Sequence, residues 1–165
     1  MRILGIDPGS IATGYGVVEK VSGSLIHIAD GTVRAKGSMK LPERLLPIFD
    51  GLQEVIVEYE PHAVAIESIF FARNVKSAAI LGHARGVALL AAARAQLAVF
   101  EYSPMEVKQS VVGYGAATKE QVQKMVKAFL KTDHLSAPDA ADALAVAICH
   151  IHHHRIQQQR GGQNA

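Results

Sequence analysis

Residues 2–34 read RILGIDPGSIATGYGVVEKVSGSLIHIADGTVR, and the fold is decided here. Arg2–Asp7, Gly14–Lys20 and Leu25–Arg34 are strand-like runs rich in Ile and Val, side chains that suit a pleated, partly buried surface. The connections PGSIAT (8–13) and SGS (22–24) are too short for a crossover and are built from turn residues, which predicts three antiparallel neighbours. The pattern then changes period. Leu41–Tyr59 places Leu45, Ile48, Leu52, Val55 and Ile56 on one helical face. Ala63–Glu67 reads as a short buried strand, Asn74–Gln96 as a long helix and Ala98–Tyr102 as a last strand. Lys119–Lys131 and Pro138–His153 read as two further helices. A meander followed by helix–strand alternation predicts an α/β fold, with a mixed five-stranded sheet and helices on both faces.

At 165 residues the chain suits one domain, read as 1–156, followed by a polar tail 157–165 (QQQRGGQNA) expected to be disordered. Cys149 is the single cysteine, which excludes an internal disulfide and suits a reducing cytoplasm. MRILGID, with an Arg and an acid in its first seven residues, does not read as a signal peptide. The most apolar stretch, 78–100, is interrupted by His83, Arg85 and Arg94, which argues against a membrane span. Net charge is only +2, but its distribution is uneven. From Lys108 to Lys131 there are five lysines, Lys108, Lys119, Lys124, Lys127 and Lys131, against the single acid Glu120. A polyanionic partner and an ordinary solvated helix face both explain such a run.

Four carboxylates carry the chemistry. Asp7 ends RILGID and Glu67 ends AVAIE, where a buried strand delivers its last side chain to a sheet edge. Asp139 and Asp142 are three apart at the start of PDAADALAVAICHI, so a helix points both to one side. Acids in a first helical turn often serve only the helix dipole. This helix, however, is nearly apolar all round, which sets its first turn at a buried edge. Clustered carboxylates repel one another unless a cation compensates, and carboxylate oxygens are the ligands Mg²⁺ prefers. Two-metal clamps serve phosphoryl chemistry, so the expectation is a metal-dependent nuclease.

Three other features admit competing readings. IDPGS resembles the first phosphate loop of actin-like sugar kinases, but those need two domains; Gly9, Gly14 and Gly16 read better as turn and bulge formers. Phe70 and Phe71 follow a strand end, where an exposed aromatic stacks on a base and a buried one covers the core. Arg73 beside them suits a phosphate contact. His150 and His152–His154 have helical spacing for a transition metal, but no cysteine or carboxylate completes a site, and a fortuitous, partly exposed cluster fits better.

Four segments in order are similar to the RuvC family of bacterial Holliday-junction resolvases: IDPGSIATGYGVV (6–18), AIESIFFARNVKSAAILGHARG (65–86), VKQSVVGYGAATKEQVQKMV (107–126) and APDAADALAVAICH (137–150). The resemblance runs from Met1 to about Arg155. It implies a ribonuclease H-like three-layer fold and a homodimer. It also implies Mg²⁺-dependent paired nicking of four-way DNA junctions in recombination and repair, leaving 5′-phosphate and 3′-hydroxyl ends. The family's metal-binding acids fall on Asp7, Glu67, Asp139 and Asp142, with two Mg²⁺ per site and Mn²⁺ as substitute. Some relatives carry His at the fourth position, where this chain has Asp142. The family's junction-probing aromatic falls on Phe70 and its functional lysines on Lys108 and Lys119. Arg73, Lys76 and Lys124 are further candidate DNA contacts on their charge alone. The branch-migration proteins RuvA and RuvB are the implied partners. Gly82 and Gly86, four apart on a small-residue helix, would let a second copy approach closely. A non-catalytic junction-binding module and a nuclease for RNA–DNA hybrids are the competing functions.

Overall fold

A computed structural model describes the backbone of residues 1–68 and 74–161, and the side chains among them as far as His154. Ten elements follow one another: β1 (Arg2–Asp7), β2 (Ala12–Val21), β3 (Ser24–Arg34), α1 (Leu41–Tyr59), β4 (Ala63–Glu67), α2 (Val75–Arg94), β5 (Ala98–Tyr102), α3 (Pro104–Val112), α4 (Lys119–Leu130) and α5 (Pro138–Gly161). The sheet order is β3-β2-β1-β4-β5. β1–β2 and β2–β3 are antiparallel, whereas β1–β4 and β4–β5 are parallel. The meander and the mixed five-stranded sheet are therefore as the sequence predicts. Ser22 and Gly23, both at positive φ, make the two-residue turn between β2 and β3.

The alternation of side chains along the central strands builds a separate core on each face of the sheet. Leu4 and Ile6 of β1, with Val64 and Ile66 of β4, pack against Ile48, Leu52, Val55 and Ile56 of α1 and Ala88, Ala91 and Ala92 of α2. Ile3, Ala63 and Ala65 face the other way, toward Leu144 and Ile148 of α5, Val107 of α3 and Val126 of α4. The result is three layers.

Helix α5 is buried on nearly every side from Ala140 to Ile151, apart from Asp142. It lies close on β1 and β2 because these strands present glycine to it. A Cβ on Gly5 would fall 1.9 Å from the Ala143 carbonyl oxygen, and one on Gly14 would fall 2.1 Å from that of Asp139. Gly16 likewise faces Leu144. This corrects the reading of Gly14 and Gly16 as turn and bulge residues: both sit in regular register, and the bulge falls at Val17/Val18. Gly9 does lie in a tight loop, closed by Thr13, whose hydroxyl donates to the Gly9 carbonyl at 2.8 Å.

Two further differences have local causes. Helix α3 was not foreseen, although Ser103, Pro104 and Glu106 carry its start signal: Ser103 and Glu106 form a capping box with Pro at the first turn. The sequence places the end of helix α5 at His153. The helix instead runs to Gly161, through RIQQQR, which contains good helix formers and no breaker. Helix α2 is long and apolar enough, by length and composition, to cross a membrane. Its Ala84, Ala88, Ala91 and Ala92 face is nevertheless packed inside the fold.

Candidate metal centre and nucleic-acid interface

Parallel pairing of β1 with β4 matches Ile6 to Ile66, so Asp7 and Glu67 emerge next to each other at the same sheet edge. Gly14 pairs with Asp7 across the β1–β2 ladder, and its missing side chain admits the first turn of α5. Asp139 and Asp142 are thereby carried to the same edge. Oxygens of Asp7, Asp139 and Asp142 lie within 4.8 Å of one another. Glu67 stands outside that trio but lines a cleft of about 250 Å³ with Asp142, Lys108 and Lys119.

The electrostatics of this edge are those of acids held together in a poorly solvated place. Asp7 is pushed from 3.8 up to about 7, first by burial and then by the charges of Asp142, Glu67 and Asp139. Burial also raises Glu67, reinforced by Asp142 and opposed by Lys108 and Lys119. Asp142 is raised by burial against the lowering effect of Lys119, whose ammonium nitrogen sits 2.5 Å from Asp142 Oδ2. Such a donor set fits hard divalent cations: every candidate ligand atom is a carboxylate oxygen, and a cation removes the repulsion that raises Asp7.

The lysines reach the cleft from two helices. Lys108 lies on α3, the helix missed in the sequence. Lys119 is the first residue of α4, whose start is fixed by a Thr118–Gln121 capping box. Lys124, on α4, and Lys76, in the first turn of α2, are exposed and are not among the residues lining the cleft. Phe70, Phe71 and Arg73 lie outside the described residues. Gly82 and Gly86 occupy the outer face of α2, where an added Cβ would meet nothing within 4 Å. Gly14 is the site-building residue that sequence reasoning missed. Its pairing with an acid-bearing strand was legible, but the approach of α5 was not.

The histidines belong to the packing. His150 is buried rather than partly exposed, and is bonded to the Tyr102 hydroxyl at 2.8 Å. Its ring also lies against that of Phe100, tilted by 39° with centroids 4.4 Å apart. His152 engages Ser110 and the edge of Phe129. Burial and the neighbouring His154 and His153 hold His150 down at about 4, so it stays neutral.

Comparison with known proteins matches this arrangement to one family. The family model for crossover junction endodeoxyribonuclease RuvC matches residues 3–150. The chain is 53% identical over 156 residues to the crossover junction endodeoxyribonuclease RuvC of Pelobacter propionicus, covering 94% of this chain and 89% of that one. It is 54% identical over 152 residues to the RuvC of Syntrophotalea carbinolica, covering 92% and 94%. Among solved structures it is similar to Thermus thermophilus RuvC in complex with a Holliday junction substrate. That match has 36% identity and a TM-score of 0.89, and it covers 95% of this chain and 96% of that one. The ribonuclease H-like fold expected from the sequence is the fold found, and the acids, the sheet edge and the sequence agree that this chain belongs to the RuvC family of crossover junction endodeoxyribonucleases.

Proposed function

We propose that this protein resolves four-way DNA junctions by Mg²⁺-dependent paired nicking, leaving 5′-phosphate and 3′-hydroxyl ends. The observation that carries this reading is the convergence of Asp7, Asp139 and Asp142 within 4.8 Å, beside Glu67, Lys108 and Lys119, in a chain of this family. Asp7, Glu67, Asp139 and Asp142 would hold two Mg²⁺, or Mn²⁺ in their place. When bound, these ions supply an activated water and stabilise charge on the departing 3′-oxygen. The protein's own part is placement. Strands β1 and β4 fix Asp7 and Glu67 rigidly, and α5 fixes the other two acids. Lys108 and Lys119 bring positive charge to the place where the scissile phosphate must lie. Lys76, Lys124 and Arg73 add sequence-independent phosphate attraction, and Phe70 is assigned to the opened junction centre by family position alone.

Two matched cuts on a two-fold symmetric junction call for two active sites related by the same symmetry, so the working unit is a homodimer. Its support here is a mostly apolar groove on α2 and α1 of about 480 Å³, lined by Leu45, Ala79, Gly82, Gly86, Val87 and Leu90 together with His83. Work on chromosomal junctions sets the protein in the cytoplasm and makes RuvA and RuvB the partners to test.

Synthetic four-way junction, linear duplex and RNA–DNA hybrid, each with Mg²⁺, Ca²⁺ or EDTA, test the reading. Paired nicks in the junction alone, with Mg²⁺, are expected. Asp7→Asn, Glu67→Gln, Asp139→Asn and Asp142→Asn should each abolish nicking while junction binding survives. Cleavage in EDTA, or hybrid cleaved as well as junction, would overturn it.

A further inference from the structure

Among the described residues, Lys119 is tied to the acid cluster by its ion pair with Asp142. Its nitrogen lies 2.5 Å from Asp142 Oδ2, and its side chain remains 51% exposed at the mouth of the cleft. The Thr118–Gln121 capping box fixes the backbone of Lys119, while among the described residues the side chain is in direct contact with Asp142 and is attracted from further off by Asp7 and Asp139. Asp142 is also the acid common to both halves of the site: it belongs to the trio with Asp7 and Asp139, and it lines the cleft with Glu67. An oxygen donating its lone pairs to an ammonium at this distance is partly withdrawn from a metal ion. A second positive charge beside Lys119 would also repel it.

We propose that Lys119 is a built-in counter-cation, which a divalent ion must displace from Asp142 before its ammonium is free to reach the phosphate. The inference rests on the metal-site reading above and adds a competition to it. Loading the site and delivering the lysine are then one event. The lysine partly compensates the cluster until the ion arrives, and the ion's arrival makes the lysine available to DNA. The charges around Asp7 fit this role, because among the described residues Lys119 is the cation that lowers it, set against Asp142, Glu67 and Asp139. Lys108 provides the comparison. It lines the same cleft and acts on Glu67, but its influence is through space.

Mn²⁺ titration of DNA-free protein, by calorimetry and by loss of the free-ion paramagnetic signal, tests the competition. Lys119→Met should bind Mn²⁺ about tenfold more tightly than wild type, as expected for loss of a contacting positive charge in a half-exposed site. Lys108→Met should change affinity about threefold or less, since its charge acts at longer range. In EDTA, Lys119→Met should melt below wild type, and saturating Mn²⁺ should erase the difference. Wild type provides a readout free of mutation: the ¹⁵N-labelled Lys119 ammonium should be slow to exchange in EDTA and lose that protection with Mg²⁺. Equal or weaker Mn²⁺ binding by Lys119→Met, a shift no larger than that of Lys108→Met, or protection that persists at saturating Mg²⁺ overturns the displacement while leaving the metal site standing. Absence of any Mn²⁺ uptake by wild type overturns both.

Discussion

Asp7 shows how a single side chain can be costly to the fold and still be useful. Its carboxyl titrates at about 7 in the folded chain against 3.8 ordinarily, because burial and three other acids oppose its charge. Between those two values the folded chain holds a proton that the unfolded chain has released. The Asp7 contribution to stability is therefore fully present below about pH 4 and is lost as pH rises through 7. Glu67 and Asp142 are raised as well and act with the same sign. His150 acts oppositely, since its value is lowered from 6.5 to about 4 and its contribution grows with pH over that range. A difference between proteins separates them. In EDTA, Asp7→Asn should be more stable than wild type by roughly 1–3 kcal/mol near pH 8, with the gap closing toward pH 4. Saturating Mg²⁺ should reverse the order, because wild type then gains binding free energy that the variant lacks. Denaturant unfolding across pH measures both, and a gap that does not change with pH would remove the acid repulsion from the account.

At the scale of elements, the active edge depends on how closely α5 can lie on the meander. A Cβ on Gly14 would fall 2.1 Å from the Asp139 carbonyl oxygen and 2.4 Å from its carbonyl carbon, and helix backbone cannot yield as a flexible side chain would. Gly14→Ala should therefore push the first turn of α5 outward, carrying Asp139 and Asp142 with it. Junction nicking should fall by about a hundredfold, with a stability loss of about 1–3 kcal/mol. Near wild-type nicking by a folded Gly14→Ala protein would show that the turn tolerates the displacement. Such a constraint cannot be read from the chain, because glycines in a strand look alike whether they make a bulge or admit a helix. The strand ends bearing Asp7 and Glu67 were legible, since an acid closing a buried run has few other reasons to be there. Helix α3 was missed for the opposite reason. Its capping signal at Ser103–Glu106 was present, but nine residues with only Val107 and Val111 buried give too little periodicity to stand out. The ion pair of Lys119 with Asp142 joins two helices across a cleft, and spacing along the chain carries no trace of it.

For the whole molecule, the open question of geometry is what covers the outer side of α2. One face of the helix is consumed by the core through Ala84, Ala88, Ala91 and Ala92. The opposite stripe, Ala79, Gly82, Gly86 and Leu90, faces outward, and Leu90 is 59% exposed. Packing among the described residues requires neither glycine: a Cβ at Gly82 or Gly86 would stand in open space, and glycine inside a helix is about 0.5–1 kcal/mol worse than alanine. Small residues at a four-residue interval instead suit the close approach of a second helix, and a two-fold axis through the groove would set each α2 against its copy. Gly86→Glu separates the two interpretations, because a Cβ added at Gly86 meets nothing within 4 Å and the longer side chain starts from the exposed face of the helix. It should leave the melting temperature of the isolated fold intact while burying a charge wherever α2 meets its partner. Analytical ultracentrifugation should then find wild type as a dimer and Gly86→Glu as a monomer at micromolar concentration. Junctions incubated with the variant should accumulate single nicks in place of paired ones. A wild type that sediments as a monomer while still cutting both strands in matched positions would sink the dimer.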